Sequence, residues 1–358
     1  MRRSGGSSTR PPAAAAAGGE CLPLGQVHPH AGEAGKVRHD VTGLVAALGL
    51  MAVAVPSLLA RLAGGRPPGP GPQLAALAPA AAVPAAAGVA VAAVTAWWLA
   101  ALLAIPAVPL VAWQLPPPRR RRSGSAPALR LRVLTVNAQG GAADPEALPD
   151  IVRRHGVDVL AVQELTPRMA SRLAAAGIAD VLPFSHADPR PGSAGTGLWA
   201  RWPLTPLPPV PGLRAAVPRA RIDPPGGRPV WLTAVHTLAP VNGHAAMWQR
   251  ELALIQRALA AARGPQVVAG DFNASRDHRP FRDLLAAGLK DCADHGQRRS
   301  WPGFTWPAGG AMPPVMRLDH VLVSRSAAVR MARVLRIPGT DHRGVLAAIG
   351  FSERAWRA

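Results

Sequence analysis

The sequence predicts a mixed α/β domain, two packed sheets with helices outside, carried behind an apolar membrane-crossing region. Three observations predict it. Residues 41–115 are nearly devoid of charge. Beyond Pro127, short β-branched strands alternate with helices opened by Asp-Pro or Thr-Pro. Acidic, amide and imidazole side chains collect at the ends of those strands. With 358 residues there is room for more than one domain. Cys21 and Cys292 are the only cysteines and lie far apart, which excludes a small disulfide scaffold.

The formal net charge is +20, which invites a nucleic-acid reading, but the charge is spread along the chain. The first 122 residues hold 11 basic and 3 acidic side chains; the rest hold 29 and 17. Lys36 and Lys290 are the only lysines and tyrosine is absent, a bias that a GC-rich coding sequence produces whatever the function. The basic field still draws anionic ligands, phosphates and lipid head groups included.

In chain order, residues 1–40 are rich in Gly, Ser, Pro and Ala, with no periodic apolar face, and read as a disordered tail. The apolar run starts too late for a signal peptide. Residues 41–115 form a transmembrane region of two or three helices, near 41–60, 74–94 and 96–115, each close to the ~20 residues a bilayer requires. Trp97, Trp98 and Trp113 suit interfacial positions. The middle stretch, with Pro79 and Pro84, is the weakest. Basic residues of the tail (Arg2, Arg3, Arg10, Lys36, Arg38) and the Arg119–Arg122 run both favour the inner side, which two spans satisfy and three do not.

Residues 116–128 are a Pro/Arg-rich linker, 129–350 a single domain of ordinary size, and 351–358 a tail. Strands are predicted at 129–137, 157–163, 197–202, 219–222, 229–236, 266–270, 317–323 and 344–349. Asp144-Pro145 and Thr166-Pro167 each supply an N-cap followed by proline at the first helical position. Trp248, Leu252, Ile255 and Leu259 form a helical stripe. Asp277 is expected to cap the helix that contains Phe281 and Leu284, with a place on a site rim, shared with His278, as the alternative.

Asn137, Glu164, His236, Asp271, Asn273, Asp319 and His342 fall at strand ends or just past them. Val267–Asn273 is an apolar strand ending in a carboxylate and an amide two residues apart, and i and i+2 on an extended backbone share a face. Arg317–Val323 and Gly339–Arg343 each deliver an Asp-His pair.

The motifs Thr135-Val136-Asn137, Gln163-Glu164, His236, Gly270-Asp271-Phe272-Asn273, Asp319-His320 and Asp341-His342, in this order across 129–349, resemble the endonuclease/exonuclease/phosphatase superfamily. The apolar N-terminal region is similar to a membrane-tethered bacterial subgroup of it. The resemblance implies a four-layer α/β/β/α sandwich (deoxyribonuclease-like) preceded by N-terminal transmembrane helices, with the site at one end of the two sheets. It further implies a divalent-metal-dependent phosphoesterase. Glu164, Asn137 and Asp341 would hold Mg²⁺ or Mn²⁺, and Asp271 would activate water. Asn273, His236 and His342 would contact phosphate, with His236 also an acid for the leaving group. Asp319 would orient His342.

Hard oxygen donors suit Mg²⁺ or Mn²⁺ better than zinc, since no cysteine joins the set. His320 is expected to pack beside Asp319 without a catalytic role. Trp301, Phe304 and Trp306, on a Pro/Gly-rich loop, are candidates for substrate stacking or for loop anchoring, and Arg201 and Arg343 for phosphate contact. The expected partners are a phosphate ester, from nucleic acid or a phospholipid head group, and the lipid bilayer. The expected place is the cell membrane, multi-pass, with the domain on the outer face. The competing readings are a non-catalytic binding protein on the same fold and a dedicated nuclease.

Overall fold

The computed structural model describes residues 31–66, 69–95, 97–115, 127–225, 228–262, 264–295, 298–299 and 302–356. The tail up to residue 30, the Arg119–Arg122 run, Cys21 and Trp301 lie outside the described residues. Residues 31–40, expected in the tail, begin the first helix.

Four helices come first: α1 (Ala31–Leu62), α2 (Gly71–Ala76), α3 (Ala78–Thr95) and α4 (Trp97–Gln114). Three stretches, Val41–Leu62, Ala78–Thr95 and Trp97–Gln114, are long and apolar enough to cross a membrane. Helices α1 and α3 run antiparallel. Gly43 of α1 meets Thr95 at the far end of α3, and Gly88 of α3 meets the Ala47 carbonyl at mid-length. Alanines at 47, 54, 78, 82, 85 and 92 fill the seam, letting the backbones approach closely. The Arg61 guanidinium stacks 3.7 Å above the Trp113 ring, so α1 and α4 finish at the same end.

The remaining elements are β1 (Leu129–Asn137), α5 (Ala147–His155), β2 (Val159–Gln163), α6 (Pro167–Ala175), β3 (Phe184–Asp188), β4 (Thr196–Ala200), β5 (Leu204–Pro206), β6 (Arg219–Ile222) and β7 (Val230–His236). They continue with α7 (Ala245–Ala260), β8 (Gln266–Asp271), α8 (Arg279–Ala286), β9 (Leu289–Asp291), α9 (Cys292–His295), β10 (Arg298–Arg299), β11 (Asp319–Ser324), β12 (Ala328–Arg336) and β13 (Arg343–Phe351). One sheet has the order β10-β12-β13-β1-β2-β4-β3, the other β5-β6-β7-β8-β11-β9.

Side-chain alternation builds the layers. In β1, Leu131 and Val133 point between the sheets, while Leu134 and Val136 point out to α5 and α6. In β8, Val267 and Ala269 enter the same inner core, and Val268 turns out to α7 and α8. The result is the α/β/β/α sandwich. The parity continues to the strand ends, so Asn137, His236, Asp271 and Asp319 all face the interior between the sheets.

Local expectations fared unevenly. Thr166 caps α6, its Oγ1 accepting the Met169 N–H at 3.1 Å, with Pro167 at the first position. Asp144 does not cap α5: the helix starts later, and Asp144 Oδ1 accepts the Glu146 N–H in the preceding turn. Asp277 does not cap α8, whose N-cap position is His278. The tail expected from 351 is packed instead. Phe351 ends β13, and the Trp356 indole donates to the Pro229 carbonyl at 2.8 Å.

Candidate active site

The registers bring the site together. Asp271 pairs with Asp319 across antiparallel β8 and β11, and with His236 across parallel β7 and β8. Asn137 pairs with Gln163 in the other sheet, which puts Glu164 next in line. Gly270 permits the β7–β8 approach, because a Cβ there would lie 1.9 Å from the Val235 carbonyl oxygen.

Asn137 is buried and ties the two sheets. Its NH₂ donates to Asp271 Oδ2 at 2.9 Å and to Glu164 Oε1 at 3.2 Å, while its carbonyl accepts the Gln139 N–H. Parity along β2 would aim Glu164 at the helices. A left-handed backbone there, φ +54°, turns it into the cleft, where its Oε2 accepts the Gly140 N–H at 2.6 Å. Asn273 is left-handed as well, at φ +45°. Side chains held this way cluster at functional sites. The strand ends at Asp271, so Asp271 and Asn273 do not converge by extended geometry. Asp271 Oδ1 accepts the Asn273 N–H at 2.8 Å, and Asn273 Nδ2 donates to the Thr237 carbonyl.

His342 Nδ1 lies 2.8 Å from Asp319 Oδ2, and its Nε2 faces Asp271 Oδ2 at 3.9 Å and Asp341 Oδ1 at 4.0 Å. Burial alone would make this imidazole less basic; the Asp319 carboxylate overrides it, with help from Asp271 and Asp341, and its pKa is pushed up to about 10. His342 is therefore an imidazolium at neutral pH. Burial, reinforced by the Asp319 charge, raises the Asp271 pKa as well and makes this carboxylate a better proton acceptor. His236 is fixed through Nδ1 on the Ser193 carbonyl at 2.9 Å, leaving Nε2 3.7 Å from Glu164 Oε1.

Glu164, His236, Asp271, Asn273 and His342 line one cavity of about 160 Å³. Asp319 stands behind it, its N–H donated to Thr305 Oγ1 at 3.2 Å. Asp341, at the rim, accepts the Trp306 indole N–H at 3.1 Å. Trp306 is thus a loop anchor. Arg201 binds Asp158, beyond the opposite end of β2, and is no phosphate contact. Arg343 donates its backbone N–H to the Thr305 carbonyl. His320, facing the helices, bridges Asp291 Oδ2 at 2.7 Å and the Ala274 carbonyl at 2.9 Å, away from the cavity.

Two residues escaped the sequence reading. Arg214 lines the cavity from an irregular loop with no periodic signal. Glu251 is buried on α7, where it accepts the backbone N–H of Arg214 and of Leu238, both at 2.9 Å, and so fixes two cavity walls. A carboxylate three residues after Trp248, on the apolar stripe, was the available signal.

The donor set fits a divalent cation. Carboxylate oxygens of Asp271 and Asp319 lie within 4.8 Å of one another, while the protonated His342 ring beside them is no cation ligand. Asp319 Oδ1 is buried and bonds to none of the described residues. Glu164 and Asp341 add two carboxylates at the same cleft. Such oxygen-rich clustering suits Mg²⁺ or Mn²⁺.

The model of the Endonuclease/Exonuclease/phosphatase family matches residues 134–342. Among solved structures, the chain is similar to an endonuclease/exonuclease/phosphatase family protein from Leptotrichia buccalis, at 16% identity and TM-score 0.51, covering 62% of this chain and 100% of that one. A counterpart from Bacteroides vulgatus gives 16% identity and TM-score 0.50, covering 63% and 100%. Truncated TDP2 from Caenorhabditis elegans gives 16% and 0.50, covering 63% and 99%. At these identities the likeness speaks for the fold. No curated protein matches the chain. The ordered motifs, the four layers and a family match over more than half its length lead to one conclusion: the chain belongs to the endonuclease/exonuclease/phosphatase family.

Proposed function

We propose that the chain is a membrane-anchored, divalent-cation-dependent phosphoesterase that hydrolyses phosphate esters by water attack. The observation that carries this reading is the convergence of Glu164, His236, Asp271 and His342 on one cleft, with Asp319 behind it holding His342 as an imidazolium. A phosphodiester is anionic and repels a nucleophile, so its site must neutralise charge, place a water and protonate the departing oxygen.

His342 presents Nε2–H to a phosphate oxygen because Asp319 engages Nδ1. Asn273, on the same cavity, binds a second phosphate oxygen. Asp271 accepts the proton of the attacking water; its environment favours the protonated form. His236, anchored through Nδ1, offers Nε2 to the phosphate or to the leaving oxygen. Glu164 and Asp341 would hold the cation together with Asn137, whose amide must turn its oxygen toward it. When bound, Mg²⁺ or Mn²⁺ supplies positive charge for the phosphate oxygens. The three apolar helices support an anchor in the cell membrane; with the basic N-terminal tail inside, three spans put the catalytic domain outside, against the preference of the Arg119–Arg122 run. Protease treatment of intact cells checks that orientation: cleavage within 129–350 supports it, and protection contradicts it.

The test of the activity is hydrolysis of bis(4-nitrophenyl) phosphate by the full chain in detergent. Asp271→Asn is expected to lower kcat by about a thousandfold with the fold intact. Unaltered turnover in that variant contradicts the reading.

A further inference from the structure

The membrane helices and the catalytic domain are clasped together. The segment between α1 and α3 lies against the start of α8. Arg61 pairs with Asp277 at 2.5 Å, with side-chain exposures of 11% and 1%. The Gly64 carbonyl accepts the Arg279 N–H at 2.8 Å. His278 is fully buried: its Nδ1 accepts the Ser275 N–H, and its Nε2 lies 2.8 Å from the Pro72 carbonyl as donor. Gly65, at φ +58°, leaves no room for a side chain, since a Cβ would sit 2.9 Å from the His278 ring. A flexible tether alone would let the domain turn freely; this clasp fixes its orientation to the bundle.

The clasp reaches the active-site cavity. Gln73 of α2 donates to the Pro240 carbonyl. The two residues before Pro240, Leu238 and Ala239, are walls of the cavity. Thus one wall of the cavity belongs to the loop that touches the end of the membrane bundle. Among the described residues of the catalytic domain, four large apolar side chains are exposed: Phe184, Val241, Met247 and Met312. Val241 follows Pro240 directly, and Met247 lies in the first turn of α7, which that loop enters.

From this arrangement we infer that the cavity takes its phosphate ester from the surface of the membrane that holds the bundle, so that the substrate is a phospholipid head group and Val241 and Met247 are contacts with the lipid surface. This rests on the phosphoesterase reading and deepens it. The continuity of the α1–α3 turn, the Pro240 loop and the cavity wall selects the bilayer as occupant of the apolar rim. A phosphate ester anchored in that bilayer reaches the cavity without leaving the surface, whereas a nucleic acid has to approach a site edged by the bundle end.

The experiment uses the full chain reconstituted in vesicles of phosphatidylcholine, phosphatidylglycerol, phosphatidylethanolamine, phosphatidylinositol and sphingomyelin, with Mg²⁺ or Mn²⁺. Head-group release is measured alongside turnover of bis(4-nitrophenyl) phosphate and of single-stranded DNA. At least one vesicle lipid is expected to be hydrolysed faster than either soluble substrate. The double variant Val241→Asp, Met247→Glu is expected to lose about tenfold or more of lipid hydrolysis while bis(4-nitrophenyl) phosphate turnover stays within about twofold. Arg61→Gln, which opens the clasp from the bundle side, is expected to act in the same direction, guarding against a rim variant that fails to fold. Turnover of the soluble substrates without lipid hydrolysis overturns the inference and leaves the phosphoesterase reading standing. So do variants that slow both substrate types alike. Failure on every substrate removes the phosphoesterase reading, and this inference with it.

Discussion

Replacing Asp319 by Asn removes a charge while keeping a hydrogen-bond acceptor for His342 Nδ1. The imidazole of His342 sits between Asp319 at 2.8 Å and two further carboxylates near 4 Å, and it holds its proton up to about pH 10. Against an ordinary histidine value near 6.5, that displacement corresponds to roughly 5 kcal/mol of preference for the charged ring, at 1.36 kcal/mol per unit. Burial opposes it, and Asp319 is the largest contributor in favour. Without the Asp319 charge, burial regains its weight and His342 is expected to titrate within about one unit of neutrality. The sign follows from the raised value. Stability carried by this proton is complete below about pH 6.5 and is lost as pH rises through about 10. The wild type should therefore lose its stability advantage over Asp319→Asn across that window. The assay is NMR of the full chain labelled with ¹³C at histidine Cε1, in detergent and chelator, with His342→Asn identifying the resonance. In parallel, kcat on a soluble diester should fall by about a hundredfold at pH 7. An Asp319→Asn protein whose His342 still titrates near 10 refutes the reasoning.

Other expectations follow from the same geometry. Glu164→Gln should weaken Mn²⁺ binding, measured calorimetrically, by about tenfold or more, since a charged oxygen donor becomes neutral; unchanged affinity moves the cation to the Asp271 and Asp319 carboxylates. Gly270→Ala should destabilise the domain by about 3 kcal/mol or more in denaturant unfolding, because its Cβ meets the Val235 carbonyl rather than a movable side chain. Glu251→Gln should raise KM more than it lowers kcat, as the Arg214 and Leu238 walls lose a charged acceptor but the reacting groups stay in place.

Much of the sandwich was legible because its central strands are short, β-branched apolar runs buried on both faces and bounded by polar or turn residues. The predicted 129–137 and 219–222 coincide with β1 and β6. The strands that escaped have reasons to. β3, Phe184–Asp188, is an edge with mostly exposed side chains, so it shows no apolar alternation. β12 carries a register shift between Val329 and Met331 and three arginines in its span, which break the period of two. At the site, the strand-end carboxylates and histidines were visible as residue types after apolar runs. What sequence could not supply was direction. Glu164 reaches the cleft only through a left-handed backbone, and Asn273 through a turn on the Asp271 carboxylate. Asp277 read as a helix cap because its partner, Arg61, is 216 positions away. Long-range pairing of that kind leaves no local pattern.

The central claim is that one cleft binds a divalent cation and uses it on phosphate esters. The most direct measurement is turnover of bis(4-nitrophenyl) phosphate by the full chain after exhaustive chelation, then after return of Mg²⁺ or Mn²⁺. The account predicts no turnover in chelator and recovery with either ion in the wild type but not in Asp271→Asn. Equal turnover in chelator and in Mg²⁺ would contradict it.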